Sequence, residues 1–203
     1  MLEFKDATIA TEGKILATGL SFIARDGELT CITGPEGSGK TTLLRTLMGF
    51  LPVQSGYVSV DGELLTVLSA PVFRTLMVYL PQQVQMLAHQ LTPPDAPSCE
   101  ADDYAVWNAL MPQAIKEQVP EPLGPEDIFR LEKQTLLGAG DKRIVIADEP
   151  AANLTPELSQ QLLIMLRHQA EAGRTVLIAS RRQLLVAPHV EIIQAFPQIE
   201  TVN

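Results

Sequence analysis

Basic residues are scarce in this sequence: 15 Lys and Arg stand against 24 Asp and Glu, for a formal net charge of −9. A nucleic-acid footprint needs a basic face to neutralise phosphates, so nucleic acid is not expected as a partner. Cysteine is nearly missing as well. Cys31 and Cys99 have no metal-ligand spacing, and Cys31 falls in an apolar run where a small hydrophobe belongs. A reducing compartment suits both. His89, His168 and His189 show no mutual spacing that suggests a metal site. There is no uncharged apolar run of the ~18 residues a membrane span requires. Met1-Leu2-Glu3-Phe4-Lys5-Asp6 also lacks an apolar signal region. The chain is therefore expected to be soluble, not exported and not membrane-spanning.

What is present is a core-forming composition and one sharp motif. With 203 residues, 46% of them hydrophobic, the chain can bury a sizeable core as one domain over 1–203. Gly34-Pro35-Glu36-Gly37-Ser38-Gly39-Lys40-Thr41, continued by Thr42, fills the template of a phosphate-binding loop. Glycines at 34, 37 and 39 let the backbone bring its N–H groups against a polyphosphate, and the following helix adds its positive end. Lys40 supplies a point charge for the β- and γ-phosphates. The Thr41 hydroxyl suits Mg²⁺, which takes oxygen ligands in near-octahedral geometry.

The flanks have the order this mechanism needs. Leu29-Thr30-Cys31-Ile32-Thr33 reads as a strand buried on both faces. Leu43, Leu44, Leu47 and Met48 recur at helical spacing until Gly49 and Pro52 stop the helix. The first thirty residues alternate apolar runs with turns at Glu12-Gly13-Lys14 and Asp26-Gly27, the pattern of an antiparallel β region. Tyr57 to Gly62 reads as a strand ending in a turn, and Thr75 to Leu80 as a strand stopped by Pro81. From Gln83 to Pro125 seven prolines break the pattern. This marks a small, loop-rich helical lobe, assigned to 83–137, in which Trp107 anchors a small core. Glu126 to Leu137 is helical, with Ile128, Leu131, Leu136 and Leu137 on its apolar side. Arg143 to Asp148 and Thr175 to Ser180 are parallel-type strands. Between them Thr155-Pro156 starts a helix that Gly173 closes.

Asp148 then stands at the carboxyl edge of a parallel sheet, where ligands of open α/β folds collect. There it can share Mg²⁺ with Thr41. Glu149, one residue on, is the candidate base for an attacking water.

Together these segments resemble the ATPase subunit of an ATP-binding cassette (ABC) system over nearly the whole chain. The resemblance rests on Leu20-Ser21-Phe22, Gly34 to Leu44, Gln54 to Gly62, Val78-Tyr79-Leu80-Pro81-Gln82, Ile144 to Pro150 and Thr175 to Ser180. It implies an α/β P-loop NTPase fold, with a mixed sheet, flanking helices, an N-terminal antiparallel part and the inserted lobe. It also implies ATP and Mg²⁺ as ligands, with Gln82 as a further metal ligand and Glu149 as catalytic base. The implied partners are a second ABC ATPase, as homodimer or heterodimer, and a transmembrane permease subunit at the inner face of the membrane.

Several positions depart from the family pattern. Where the family carries a signature near Leu-Ser-Gly-Gly-Gln, this chain reads Gly124-Pro125-Glu126-Asp127-Ile128. Pro125 lacks an N–H, and the two acids would face triphosphate with negative charge. Arg181, followed by Arg182, stands where a histidine contacts the γ-phosphate. Thr155 stands where an aspartate links the two active sites. No aromatic occurs between Phe4 and Phe22, near the Thr11 position that stacks on adenine in the family. Arg181 is then either a replacement phosphate contact or an exposed cation after a strand. The matches favour an ATP-binding transport subunit with weak hydrolysis. The departures favour a degenerate regulatory or assembly protein with little turnover.

Overall fold

The computed structural model describes residues 1–11, 14–82, 123–181 and 190–194. The stretch 83–122 of the expected lobe, with His89, Cys99 and Trp107, lies outside the described residues, as do Arg182 and His189. The elements are numbered here among the described residues. They run β1 (Leu2–Thr11), β2 (Lys14–Ala24), β3 (Leu29–Thr33), α1 (Lys40–Leu47), β4 (Ser55–Val60), β5 (Glu63–Leu64), α2 (Ala70–Thr75) and β6 (Met77–Leu80). After 83–122 come α3 (Pro125–Leu137), β7 (Ile144–Asp148), α4 (Pro156–Glu171), β8 (Thr175–Ser180) and β9 (Val190–Gln194).

The strands form two sheets. An antiparallel sheet of order β2-β1-β4-β5 is built from the N-terminal half, and a parallel sheet has the order β6-β7-β8-β3-β9. The expected mixed α/β architecture is thus carried by two sheets. In the antiparallel sheet Phe4 pairs with Phe22, and their rings stack with centroids 4.7 Å apart. Asp61-Gly62, both at positive φ, make the two-residue turn between β4 and β5. Arg143, just before β7, reaches Asp61 at 2.8 Å and ties the sheets together.

Strands β6, β7 and β8 are buried along their whole length, and their side chains divide by the period of two between two cores. Ile144, Ile146, Leu177 and Ala179 face Leu43, Leu44 and Leu47 of α1 together with Leu2, Phe4 and Ile9 of the antiparallel sheet. Val145, Ala147, Val176 and Ile178 face Leu162 and Leu166 of α4 and Leu136 of α3. Each face of the parallel sheet is therefore covered, which leaves its carboxyl edge as the place for polar chemistry.

Local signals mostly act as read. Thr155 caps α4, accepting from the Leu158 N–H at 3.3 Å, and Gly173 ends it at φ 91°. Two expectations are corrected. The segment from Thr75 is not all strand: Thr75 ends α2 and β6 begins at Met77. Leu137 does not join the apolar side of α3. It is 68% exposed, while Glu132 is buried, and burial pushes the Glu132 carboxyl up to about 8. Among the described residues no helix is long and apolar enough to cross a membrane.

Candidate functional site

Four strand ends converge because the parallel register aligns them. Thr33 pairs with Ser180, Asp148 with Ala179 and Leu80 with Ala147. The residues that follow these pairs therefore emerge on one edge: Gly34 after β3, Glu149 after β7, Arg181 after β8 and Gln82 after β6. Two backbone bonds hold them there, Gly34 N–H to the Ser180 carbonyl at 3.3 Å and Glu149 N–H to the Ala179 carbonyl at 2.9 Å.

The loop itself wraps Lys40. Gly39 takes a left-handed conformation at the α1 N-cap, and the first turn of α1 holds no acid. Its N-terminal N–H groups thus meet no local carboxylate that would compete with an anion. Lys40 is buried, and its Nζ donates back to the carbonyls of Gly34 at 2.9 Å and Pro35 at 3.0 Å. That Nζ also lies 3.4 Å from Glu149 Oε1. The Thr41 hydroxyl donates to Asp148 Oδ2 at 2.7 Å, across 107 residues of sequence. Glu149 carries a φ of 48°, a backbone region an L-residue occupies at a cost of about 1–3 kcal/mol and one that clusters at functional sites.

A pocket of about 350 Å³ opens over this edge, lined by Leu16, Glu36, Gly37, Gly39, Lys40, Thr41, Thr42, Gln82, Glu149 and Arg181. It brings together most of the residues expected from sequence. Asp148 joins through its bond to Thr41. Gly34 and Pro35 take part through their carbonyls on Lys40. Ser38 Oγ is buried with no hydrogen-bond partner among the described residues. Gln82 is held from behind, its carbonyl accepting from Asn153 Nδ2 at 3.0 Å. Arg181 reaches the site, 3.1 Å from Glu36 Oε2 and 3.6 Å from Glu149 Oε1.

Leu16 was not legible as a site residue. It sits in β2, against Gly39, and only the packing of the antiparallel sheet beside the loop brings it there. Thr155 serves its helix cap. The segment at the family's signature position begins α3, with Gly124 as N-cap and Glu126 and Asp127 in the first turn. Asp127 bonds Arg130 at 2.7 Å. That helix end presents carboxylates, so its positive dipole end is already countered.

The donor set of the pocket fits magnesium: a hydroxyl, a carboxylate and a side-chain amide are hard oxygen ligands. Among the described residues no cluster of three His, Cys, Asp or Glu could hold a metal by itself.

A glycine-rich loop between a buried parallel strand and a helix, faced by a strand-end carboxylate, defines a P-loop nucleotide-binding α/β domain. Residues 17–152 match the family model described as ABC transporter, and the chain belongs to that family as an ATP-binding cassette domain. It is 31% identical over 199 residues to the ABC transporter ATP-binding/permease protein Rv1747 of Mycobacterium tuberculosis, covering 88% of this chain and 22% of that protein. It is 26% identical over 209 residues to the cytochrome c biogenesis ATP-binding export protein CcmA of Hahella chejuensis, covering 96% of this chain and 95% of that one. Among solved structures, the fold resembles the dimeric, ADP- and Pi-bound ATP-binding cassette MJ0796. That match has a TM-score of 0.62 and 18% identity, and covers 90% of this chain and 88% of that one.

Proposed function

We propose that this chain is the ATP-binding subunit of an ABC-type transport complex, lying at the inner face of a membrane through a transmembrane partner and pairing with a second cassette. Gly34 to Thr42 hold the phosphates of ATP, and Thr41, Asp148 and Gln82 hold Mg²⁺. The observation that carries this reading is the 2.7 Å contact between the Thr41 hydroxyl and Asp148 Oδ2. It joins the loop to the strand end through the two groups that a metal bridging protein and phosphate would use. When bound, magnesium neutralises charge on the phosphate oxygens. Lys40 supplies a fixed positive charge, the glycine backbone and α1 supply N–H donors, and Glu149 accepts the proton of the attacking water.

MgATP at 100 times its Kd should stabilise the fold by about 2.7 kcal/mol, a melting shift of about 5–10 °C for a chain of this size. Lys40→Ala should abolish that shift. An unchanged shift in the variant would exclude the loop as the site.

A second reading, a regulatory cassette with little turnover, is favoured by the acidic first turn of α3, Glu126 and Asp127. In a homodimer this turn would meet the partner's γ-phosphate with carboxylates instead of donors. Slow hydrolysis by the isolated chain fits both readings. A robust rate for the purified chain, lost in Glu149→Gln, would exclude the second.

A further inference from the structure

Glu36 is the only acid in the loop from Gly34 to Thr42, and it does not point idly into solvent. Its Oε2 accepts from Arg181 Nη1 at 3.1 Å, a contact between residues 145 apart in sequence. The pairing follows from the fold. Thr33 and Ser180 are register partners at the ends of β3 and β8, so the residue after β8 faces the residues that open the loop. On its inner side the same guanidinium has Nε 3.6 Å from Glu149 Oε1, the oxygen that Lys40 Nζ approaches to 3.4 Å. Glu149 is 9% exposed and Glu36 85%. Arg181 therefore spans the pocket from its buried carboxylate to its outer lip.

This arrangement sets two anions against each other. A phosphate group entering the pocket is attracted by Lys40 and Arg181, and a guanidinium binds phosphate and carboxylate oxygens by the same N–H donors. While Glu36 holds Arg181, its charge is partly offset and one of those donors is taken.

We propose that Glu36 is a built-in competitor for nucleotide phosphate, holding Arg181 across the mouth of the loop so that phosphate gains the guanidinium only by displacing the Glu36 carboxylate. Arg181 is then a phosphate-binding residue, and Glu36 sets the affinity through it. The proposal rests on the reading of Gly34 to Thr42 as a phosphate site. The pair is exposed on the Glu36 side, where such bridges contribute modestly, so the effect should be severalfold rather than thousandfold.

The test is isothermal titration of the full chain with MgATP, using wild type, Glu36→Gln, Arg181→Gln, the double variant and Lys40→Ala. Glu36→Gln should bind about threefold more tightly than wild type, and Arg181→Gln more weakly than wild type. Adding Glu36→Gln to Arg181→Gln should change nothing, because the competitor then has no cation to hold. Equal affinity of wild type and Glu36→Gln would overturn the proposal. So would a threefold gain that persists in the Arg181→Gln background, since it would report charge removal alone. If wild type binds MgATP, Lys40→Ala does not, and Glu36→Gln matches wild type, only the competition fails. If neither wild type nor Glu36→Gln binds, the phosphate site fails with it.

Discussion

Glu132 sits on α3 at a position the packing treats as core. It is 2% exposed, and its Oε2 has no hydrogen-bond partner among the described residues. Burial raises its carboxyl from an ordinary 4.5 to about 8. A raised carboxyl has a definite linkage sign. Below pH 4.5 the group is protonated in both folded and unfolded chains, and the shift has no effect on stability. Between about 4.5 and 8 the folded chain keeps a proton that the unfolded chain has released, so stability falls as pH rises. Above 8 both forms are ionised and the loss levels off. Each pH unit in that window is worth about 1.4 kcal/mol for one proton, so at pH 7 the penalty is on the order of 3 kcal/mol. Glu132→Gln removes the titration and keeps the shape. Its buried amide adds its own desolvation cost, but that cost does not vary with pH. Urea unfolding followed by circular dichroism at pH 5, 6, 7 and 8 should therefore show the variant gaining on wild type by about one proton's worth per unit. A stability difference that stays flat across that range would refute the reasoning, whatever its absolute size.

Other parts of the fold make separate demands. Gly56 has φ 72°, and a Cβ there would lie 2.3 Å from the Asp6 carbonyl oxygen, so Gly56→Ala combines left-handed strain with a clash against backbone. It should cost about 3 kcal/mol in denaturant unfolding, and a loss below 1 kcal/mol would contradict the tight β1–β4 approach. Thr155→Ala should cost about 1 kcal/mol by the same measurement, through loss of the α4 cap. A neutral result would mean the hydroxyl bond at 3.3 Å contributes nothing. Among the described residues, those lining the pocket include no aromatic, and stacking is worth about 1–3 kcal/mol per base. GTP should therefore compete within about tenfold of ATP, and a much larger preference for ATP would reveal a base contact elsewhere.

The parallel sheet and its helices were legible because their signals are local and reinforce one another. Short β-branched apolar runs such as Ile144 to Ala147, ending in an acid, read as doubly buried strands. Thr155 with Pro156 fixes a helix start whatever lies around it. The boundary at Thr75 was not legible, because α2 is a six-residue helix, too short to show a period, and Leu76 to Leu80 continues its apolar character. The strand read from Tyr57 starts two residues earlier, at Ser55, a start not legible because Ser55 and Gly56 carry no apolar signal. Ser55 becomes strand through pairing with β1 and its hydroxyl contact to Thr8 at 2.8 Å. The helix expected over Glu126 to Leu137 starts one residue earlier, at Pro125, but its buried face was misjudged at Leu137, which is exposed, and Glu132 was not foreseen on it. Periodicity ranks residues by polarity, whereas burial follows the surface that α4 and β6 present.

The site divides along the same line. Loop, hydroxyl and strand-end acid could be read because each is specified by its own neighbours in sequence, and the expected meeting of Thr41 with Asp148 needs only that β3 and β7 be parallel and close. The order β7-β8-β3 inserts one strand between them. That strand brings Arg181 to the same edge, between the loop and Glu149. The sequence raised a phosphate contact and an exposed cation as the alternatives for Arg181, and the geometry adds a term that neither included, a carboxylate on the loop itself. Sequence spacing offers no hint that Glu36 and Arg181 meet, since only the register of two strands 142 residues or more apart sets their approach. A loop acid is then no longer neutral decoration of a phosphate site. Its charge is matched by a cation that the fold supplies, and if the loop holds phosphate as proposed, the strength of that binding should depend on which anion the cation holds.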